Sequence, residues 1–167
     1  MVLGSFTGIR IGVATVKAFS DSLGIKTIGI SSLEALSLNF GPNNVICSLI
    51  DAKRENVYST IIELTDSQNI VRKNATFENI NNLLSELKDL KLEYNIVFIG
   101  DGAINYKDKI LEALPNSVFA DNNTISAKNV GICAYSYSLN NIYHSIEPLY
   151  LRKSEAERNL LKKEENN

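Results

Sequence analysis

Apolar residues recur at helical spacing from Ile9 through Val13 and Val16 to Phe19 or Ser20, with Leu23 beyond. This predicts an amphipathic helix opened by a Ser5 or Thr7 N-cap, with Gly4 allowing the entering turn, and closed by Gly24 at C′. Gly8 and Gly12 fall four apart on a different face, a bare stripe that another backbone can approach closely. A helix with one greasy and one bare stripe is expected to lie between its own sheet and a second polypeptide. Residues 26–30 form a short β-type run. Ser31 with Glu34 three residues on is a capping-box pattern and predicts a second helix through Leu38. Phe40-Gly41-Pro42-Asn43-Asn44 then breaks the chain and marks a boundary between lobes.

Beyond that break, residues 45–50 and 57–64 are β-rich runs flanking Asp51-Ala52-Lys53-Arg54-Glu55-Asn56, a hairpin with a charged tip. Residues 70–72 predict a third antiparallel strand. A helix is expected over 74–92, capped by Asn74 or Thr76, with Phe77, Ile80, Leu83, Leu84 and Leu87 on one face. The continuous apolar run 96–99 reads as an interior strand covered on both sides. Gly100-Asp101-Gly102-Ala103 follows as a tight turn into a helix over 106–114, then a short strand at 118–120 and a helix of small and aromatic residues over 125–139. Pro148 biases 148–152 to an extended form, and Ser154 caps a terminal helix of alternating charge. No internal repeat is present.

Composition narrows the classes. The 167 residues carry 44% apolar residues and a formal net charge of −2, so no strong field would draw this chain to nucleic acid by itself. No window approaches the length of a membrane-spanning helix, and no charged and apolar leader opens the chain, so a cytoplasmic address is expected. Cys47 and Cys133 lie far apart in apolar settings and are expected to be buried, reduced thiols. The single histidine, His144, cannot supply a paired-histidine metal site and reads as a loop residue. Gly100 to Ala103 reads as a tight turn or as a weak anion cradle, with Asp101 opposing a phosphate.

Gly4-Ser5-Phe6-Thr7-Gly8-Ile9-Arg10-Ile11-Gly12 resembles the signature of the TsaB family, also called YeaZ, which usually reads Gly-Pro-Gly-Ser-Phe-Thr-Gly-Leu-Arg-Ile-Gly here. Pro148-Leu149-Tyr150-Leu151-Arg152 is similar to that family's Pro-x-Tyr-Leu-Arg ending. The hairpin tip with Val57 and Tyr58 resembles its Asp-Ala-Arg-Arg-x-Glu-Val-Tyr segment, with Lys53 replacing an Arg and Glu55 one place early. Met1-Val2-Leu3 stands where the family has its Gly-Pro and a preceding strand. The resemblance therefore implies an α/β, actin-like/RNase H-like (ASKHA) two-lobe fold with the first lobe incomplete. On it, residues 1–41 are the closing helices and strand of a truncated first lobe, 42–147 a second RNase H-like lobe, and 148–167 a C-terminal tail and helix.

The resemblance also implies a function: a non-catalytic scaffold and activator in tRNA N6-threonylcarbamoyladenosine synthesis that binds a TsaD-like catalytic paralogue. A TsaE-like ATPase would join the pair, tRNA would be met only indirectly, and a homodimer is a further expectation. No cofactor or metal is expected on this chain alone; ATP or ADP would sit at the complex interface. Gly8, Ile9, Gly12, Val13, Val16, Leu33 and Leu36 are the expected partner interface. Asp51, Arg54, Glu55 and Tyr58 are expected to face the interlobe cleft; the alternative for this tip is a charged turn with local ion pairs worth ~0–1 kcal/mol. Tyr150 is expected to anchor the tail by its ring, leaving Arg152 to pair with a carboxylate. No catalytic residue is expected. The alternative from another class is an ATP-dependent ASKHA enzyme or a glycoprotease-like peptidase. Without strands to rest on, Ile9, Val13 and Phe19 should leave an exposed apolar patch.

Overall fold

A computed structural model describes residues 6–66, 69–89, 96–143 and 145–151. The sheet is built around β1 (Asn44–Asp51), whose six central residues are all buried. Alternation along this strand sends Val45, Cys47 and Leu49 to one side and Ile46 and Ile50 to the other. Both faces are therefore covered, which is why the run reads as continuously apolar. β1 forms an antiparallel hairpin with β2 (Asn56–Leu64), which pairs antiparallel with β3 (Asn69–Asn79). On its other edge β1 runs parallel to β4 (Ile96–Ile99), and β4 runs parallel to β5 (Val118–Phe119). The order is β3-β2-β1-β4-β5.

One face packs under α3 (Ile80–Asp89), α4 (Asp101–Asn105) and α5 (Lys107–Ala113), with Phe98, Ile61, Ile80, Leu83, Leu87 and Ile110 fully enclosed. Phe98 stacks on Phe119 with ring centroids 5.8 Å apart. The other face is closed by α2 (Ser32–Ser37), whose Leu33 and Leu36 meet Ile46, Ile62, Val97 and Ile99. The last helix, α6 (Ala127–Leu139), lies against α2. Its buried Asn129 donates to the carbonyl of Ala35 at 3.2 Å and to Asn39 Oδ1 at 2.6 Å, while Asn39 donates to the carbonyls of Asn122 and Thr124. These amides tie α2, α6 and the 122–124 turn together. The first helix, α1 (Phe6–Leu23), ends at Gly24 with φ 62°, the left-handed C′ conformation its sequence position predicts.

Several expectations are corrected. The helix foreseen over 74–92 begins only at Ile80, and 74–79 continue β3 instead. Pairing wins over local pattern here: Thr76, Phe77 and Glu78 stand opposite Ser59, Tyr58 and Val57, and the Phe77 ring lies 5.4 Å from that of Tyr58. The first turn is served by Asn79, whose Oδ1 accepts from the Asn81 N–H at 2.9 Å, not by Asn74 or Thr76. Residues 26–30 are not a strand of the sheet. Ser31 is the N-cap of α2 but makes no side-chain cap bond, and Glu34, the other half of the expected capping box, is turned to the Tyr137 hydroxyl.

Leu33 and Leu36, expected at a partner interface, are 1% and 2% exposed. Their side chains belong to the sheet's own core and are not offered outward. Leu36→Ala is accordingly expected to cost ~2–5 kcal/mol of folding stability, read as a lowered urea midpoint.

Candidate functional site

None of the α1 residues whose burial is described is buried. Ile9 and Val13 are half-buried, Val16 is 41% exposed, and Ile11 and Phe19 are each 62% exposed. The expectation that a greasy stripe of α1 covers its own sheet is therefore corrected. Between α1 and the α2-side face of the sheet lies an open hollow of about 900 Å³. Gly12, Val13 and Val16 form its α1 wall, Ile62, Val71 and Ala75 its sheet wall, and Ile146, Pro148 and Leu149 its tail wall. A Cβ built on Gly12 meets nothing within 4 Å, so this stretch of the helix is bare. Gly8 is exposed at the N-terminal end of the same helix.

The tail wall is held by Tyr150. Its hydroxyl accepts from Arg10 Nε at 2.9 Å, and the Arg10 guanidinium lies 5.7 Å from its ring centroid. Arg152 and His144 lie outside the described residues. At the inner end of the hollow Tyr137 donates to Glu34 Oε1. Burial, and then the hydrogen bond to Glu34, push the Tyr137 hydroxyl above its ordinary range. The Cys133 thiol is pushed up to about 12, mainly by burial. Cys47, fully buried, is raised as well, chiefly by burial. Neither thiol is poised as a nucleophile.

The hairpin tip forms a second, polar assembly. Lys53, Arg54 and Glu55 all adopt left-handed backbone conformations, φ 65°, 54° and 59°. Such residues cost about 1–2 kcal/mol each unless local bonds compensate. Asn56 Nδ2 supplies two of those bonds, to the carbonyls of Lys53 and Arg54. Asp51, with a side chain 6% exposed, accepts from the Lys53 N–H at 2.8 Å, Lys53 Nζ at 2.7 Å, Asn105 Nδ2 at 3.0 Å and the Tyr106 hydroxyl at 3.1 Å. Asp101 Oδ1 accepts from the Asp51 N–H at 3.0 Å. Glu55 pairs with Lys109, and its carbonyl accepts from the Ile80 N–H.

Asp51 and Glu55 are thus brought together against α4 and α5, whereas Arg54 is exposed. Tyr58 packs on the α2-side core and takes no part in the tip. Among the described residues no three His, Cys, Asp or Glu side chains converge as a metal site. No helix among them is long and apolar enough to cross a membrane.

Burial works to raise the Asp51 pKa, but the hydrogen bonds from Lys53, Asn105 and Tyr106 outweigh it and hold the carboxyl below its ordinary value. A depressed carboxyl stabilises the fold above its unfolded-state pKa, and that stability is lost as pH falls through the folded value. Urea midpoints measured at pH 7 and pH 3 should therefore fall more steeply for the native chain than for Asp51→Asn.

A family model described as "TsaD: tRNA N6-adenosine threonylcarbamoyltransferase" matches residues 4–160. The tRNA threonylcarbamoyladenosine biosynthesis protein TsaB of Bacillus subtilis (strain 168) is 27% identical over 164 residues, covering 92% of this chain and 68% of that protein. An uncharacterized protein of Mycobacterium leprae is 38% identical over 55 residues, 33% of this chain and 15% of its own. Among solved structures, YeaZ from Pseudomonas aeruginosa superposes with a TM-score of 0.67 at 16% identity, over 88% of this chain and 70% of that one. An uncharacterized Pseudomonas aeruginosa protein with similarity to peptidase YeaZ gives 0.66 at 19%, over 89% and 69%. At these identities the structures speak to fold alone, and the fold is the actin-like (ASKHA) α/β type.

Proposed function

Because the chain belongs to the TsaB/YeaZ family, we propose that it serves tRNA threonylcarbamoyladenosine biosynthesis as a non-catalytic subunit that docks a TsaD-like threonylcarbamoyltransferase through α1. The observation that carries this reading is α1 itself. It is a helix of 18 residues that exposes Ile11, Val16, Phe19 and Leu23 and buries none of its described side chains in the chain's own core. Exposed apolar surface of that extent on one helix supports a contact with another polypeptide. Gly8, Ile9, Gly12, Val13 and Val16 are the proposed contact residues, with the Arg10–Tyr150 pair fixing the tail beside them.

Burial of both thiols supports a non-catalytic role for the chain. On the same reading a TsaE-like ATPase joins the assembled pair, and any ATP or ADP is held at the complex interface. tRNA is then met through the partner, and in the partner's absence two copies of the chain pair through α1. Co-expression with the TsaD-like paralogue of the same genome, followed by size exclusion, is expected to give one co-eluting complex. Separate elution, or ATP hydrolysis or peptide cleavage by the purified chain alone, would overturn the proposal.

A further inference from the structure

The edge strand β3 carries two residues more than the stretch of β2 it pairs with. Ser59 stands opposite Thr76 and Ile61 opposite Lys73, so two steps along β2 meet three along β3. The next step, Ile61 to Ile62, meets two, from Lys73 to Val71. Each excess residue is a bulge, and each turns the alternation of the strand over once. Lys73, between the two, is thereby set on the α3 side opposite Ile61, whereas Val71 and Phe77 stand opposite Ile62 and Tyr58 on the α2 side. There its ammonium meets both oxygens of Glu78 at 2.9 Å and the carboxylate of Glu86 on α3. Ser59 donates to Glu78 Oε1, and Thr60 Oγ1 donates to the Lys73 carbonyl at 2.8 Å. Burial works against the charge of Lys73, but the bonds to Glu86 and Glu78 outweigh it and hold the ammonium above its ordinary value.

The competing arrangement is a straight strand. Regular pairing continued from Ser59 and Thr76 would put Lys73 opposite Ile62 and Asn74 opposite Ile61. That keeps the ladder whole, which two bulges do not. It also carries the ammonium to the α2 side and leaves Glu78, with a side chain 12% exposed, beside Glu86 without the lysine, a costly state for an enclosed carboxylate. We propose that Lys73 is the register lock of β3: its charge between Glu78 and Glu86 holds the doubly bulged pairing, and without it the strand from Asn69 to Ala75 straightens along β2. An uncharged residue at 73 suits the row of Val71, Ala75 and Phe77, and the Asn74 amide could then donate to Glu78 from the α3 side.

The test uses the full chain, isotope-labelled, and reads backbone NOEs between β2 and β3. The native chain is expected to show the contact of Ile62 with Val71. In Lys73→Met that contact should vanish and contacts of residue 62 with 73 and of 63 with 72 should replace it, while that of Tyr58 with Phe77 stays. Lys73→Arg keeps a cation that can bridge both carboxylates and should keep the native pairing. Glu86→Gln, on the exposed side of α3, weakens the lock and decides the matter even where Lys73→Met fails to fold. It should speed amide exchange between residues 70 and 75 about tenfold and leave that of β1 unchanged. Persistence of the contact between residues 62 and 71 in Lys73→Met, its loss in Lys73→Arg, its absence from the native chain, or exchange in β3 indifferent to Glu86→Gln would each overturn the inference.

Discussion

Gly12→Leu is expected to leave the free chain folded and to abolish its co-elution with the TsaD-like paralogue. A Cβ at Gly12 meets nothing within 4 Å, so the new side chain starts out into open space. Replacing a helix-interior glycine also raises helix propensity by roughly 0.5–1 kcal/mol, so the thermal melt should hold or rise. The partner meets a different surface. Where two backbones would approach at the bare stripe, a branched side chain holds them apart and leaves the surrounding contacts unfilled. A loss of about a hundredfold or more in affinity, ~2.7 kcal/mol, is the expected result by titration calorimetry. Gly131→Leu on α6, where a Cβ likewise has free space, is the control and should leave the complex intact. Co-elution that persists in Gly12→Leu would remove α1 as the contact.

Gly100→Ala is expected to destabilise the chain by about 3 kcal/mol or more, enough to leave most of it unfolded in mild urea. Two independent facts combine here. Gly100 has φ 104°, a conformation that a side chain rarely tolerates, and a Cβ placed on it would lie 2.0 Å from the carbonyl oxygen of Leu49. Leu49 cannot retreat, because it is fully buried in the middle of β1 and its neighbours bond to β2 and β4 on either side. The turn is further fixed by Asn123 Oδ1, which accepts from the Gly100 N–H at 2.7 Å. An equilibrium unfolding curve within 1 kcal/mol of the native chain's would show that β4 and β1 can part without cost.

Much of the sheet was legible because its strands are buried on both faces. The runs at 45–50, 57–64 and 96–99 have no other way to hide so many apolar residues, and their turns carry the right punctuation. Of β3 the start at 70–72 was legible and the rest was not, since Asn74-Ala75-Thr76-Phe77-Glu78 has no clear period and became a strand through its partner β2. The same limit governed the contact surface. Helical spacing announced two stripes on α1, but spacing says nothing of what lies opposite, and here the opposite is a hollow rather than a sheet. Leu33 and Leu36 were expected at the partner interface, yet only the fold decides whether two leucines on a short helix meet their own sheet or a neighbour. Tyr150 was singled out by its motif, whereas its partner Arg10 and the Glu34–Tyr137 bond had no local signal, being separated by 140 and 103 positions.

The two cores that share β1 have a consequence for how the molecule opens. Val45, Cys47 and Leu49 belong to one layer and Ile46 and Ile50 to the other, so neither layer can loosen without uncovering the strand that the other rests on. Amide protons in β1 then exchange only through global unfolding, whereas those of α1, which has no described side chain in either core, exchange through a local opening of much lower free energy. A ligand on that helix can therefore slow its exchange by orders of magnitude while the melting of the sheet scarcely registers the event.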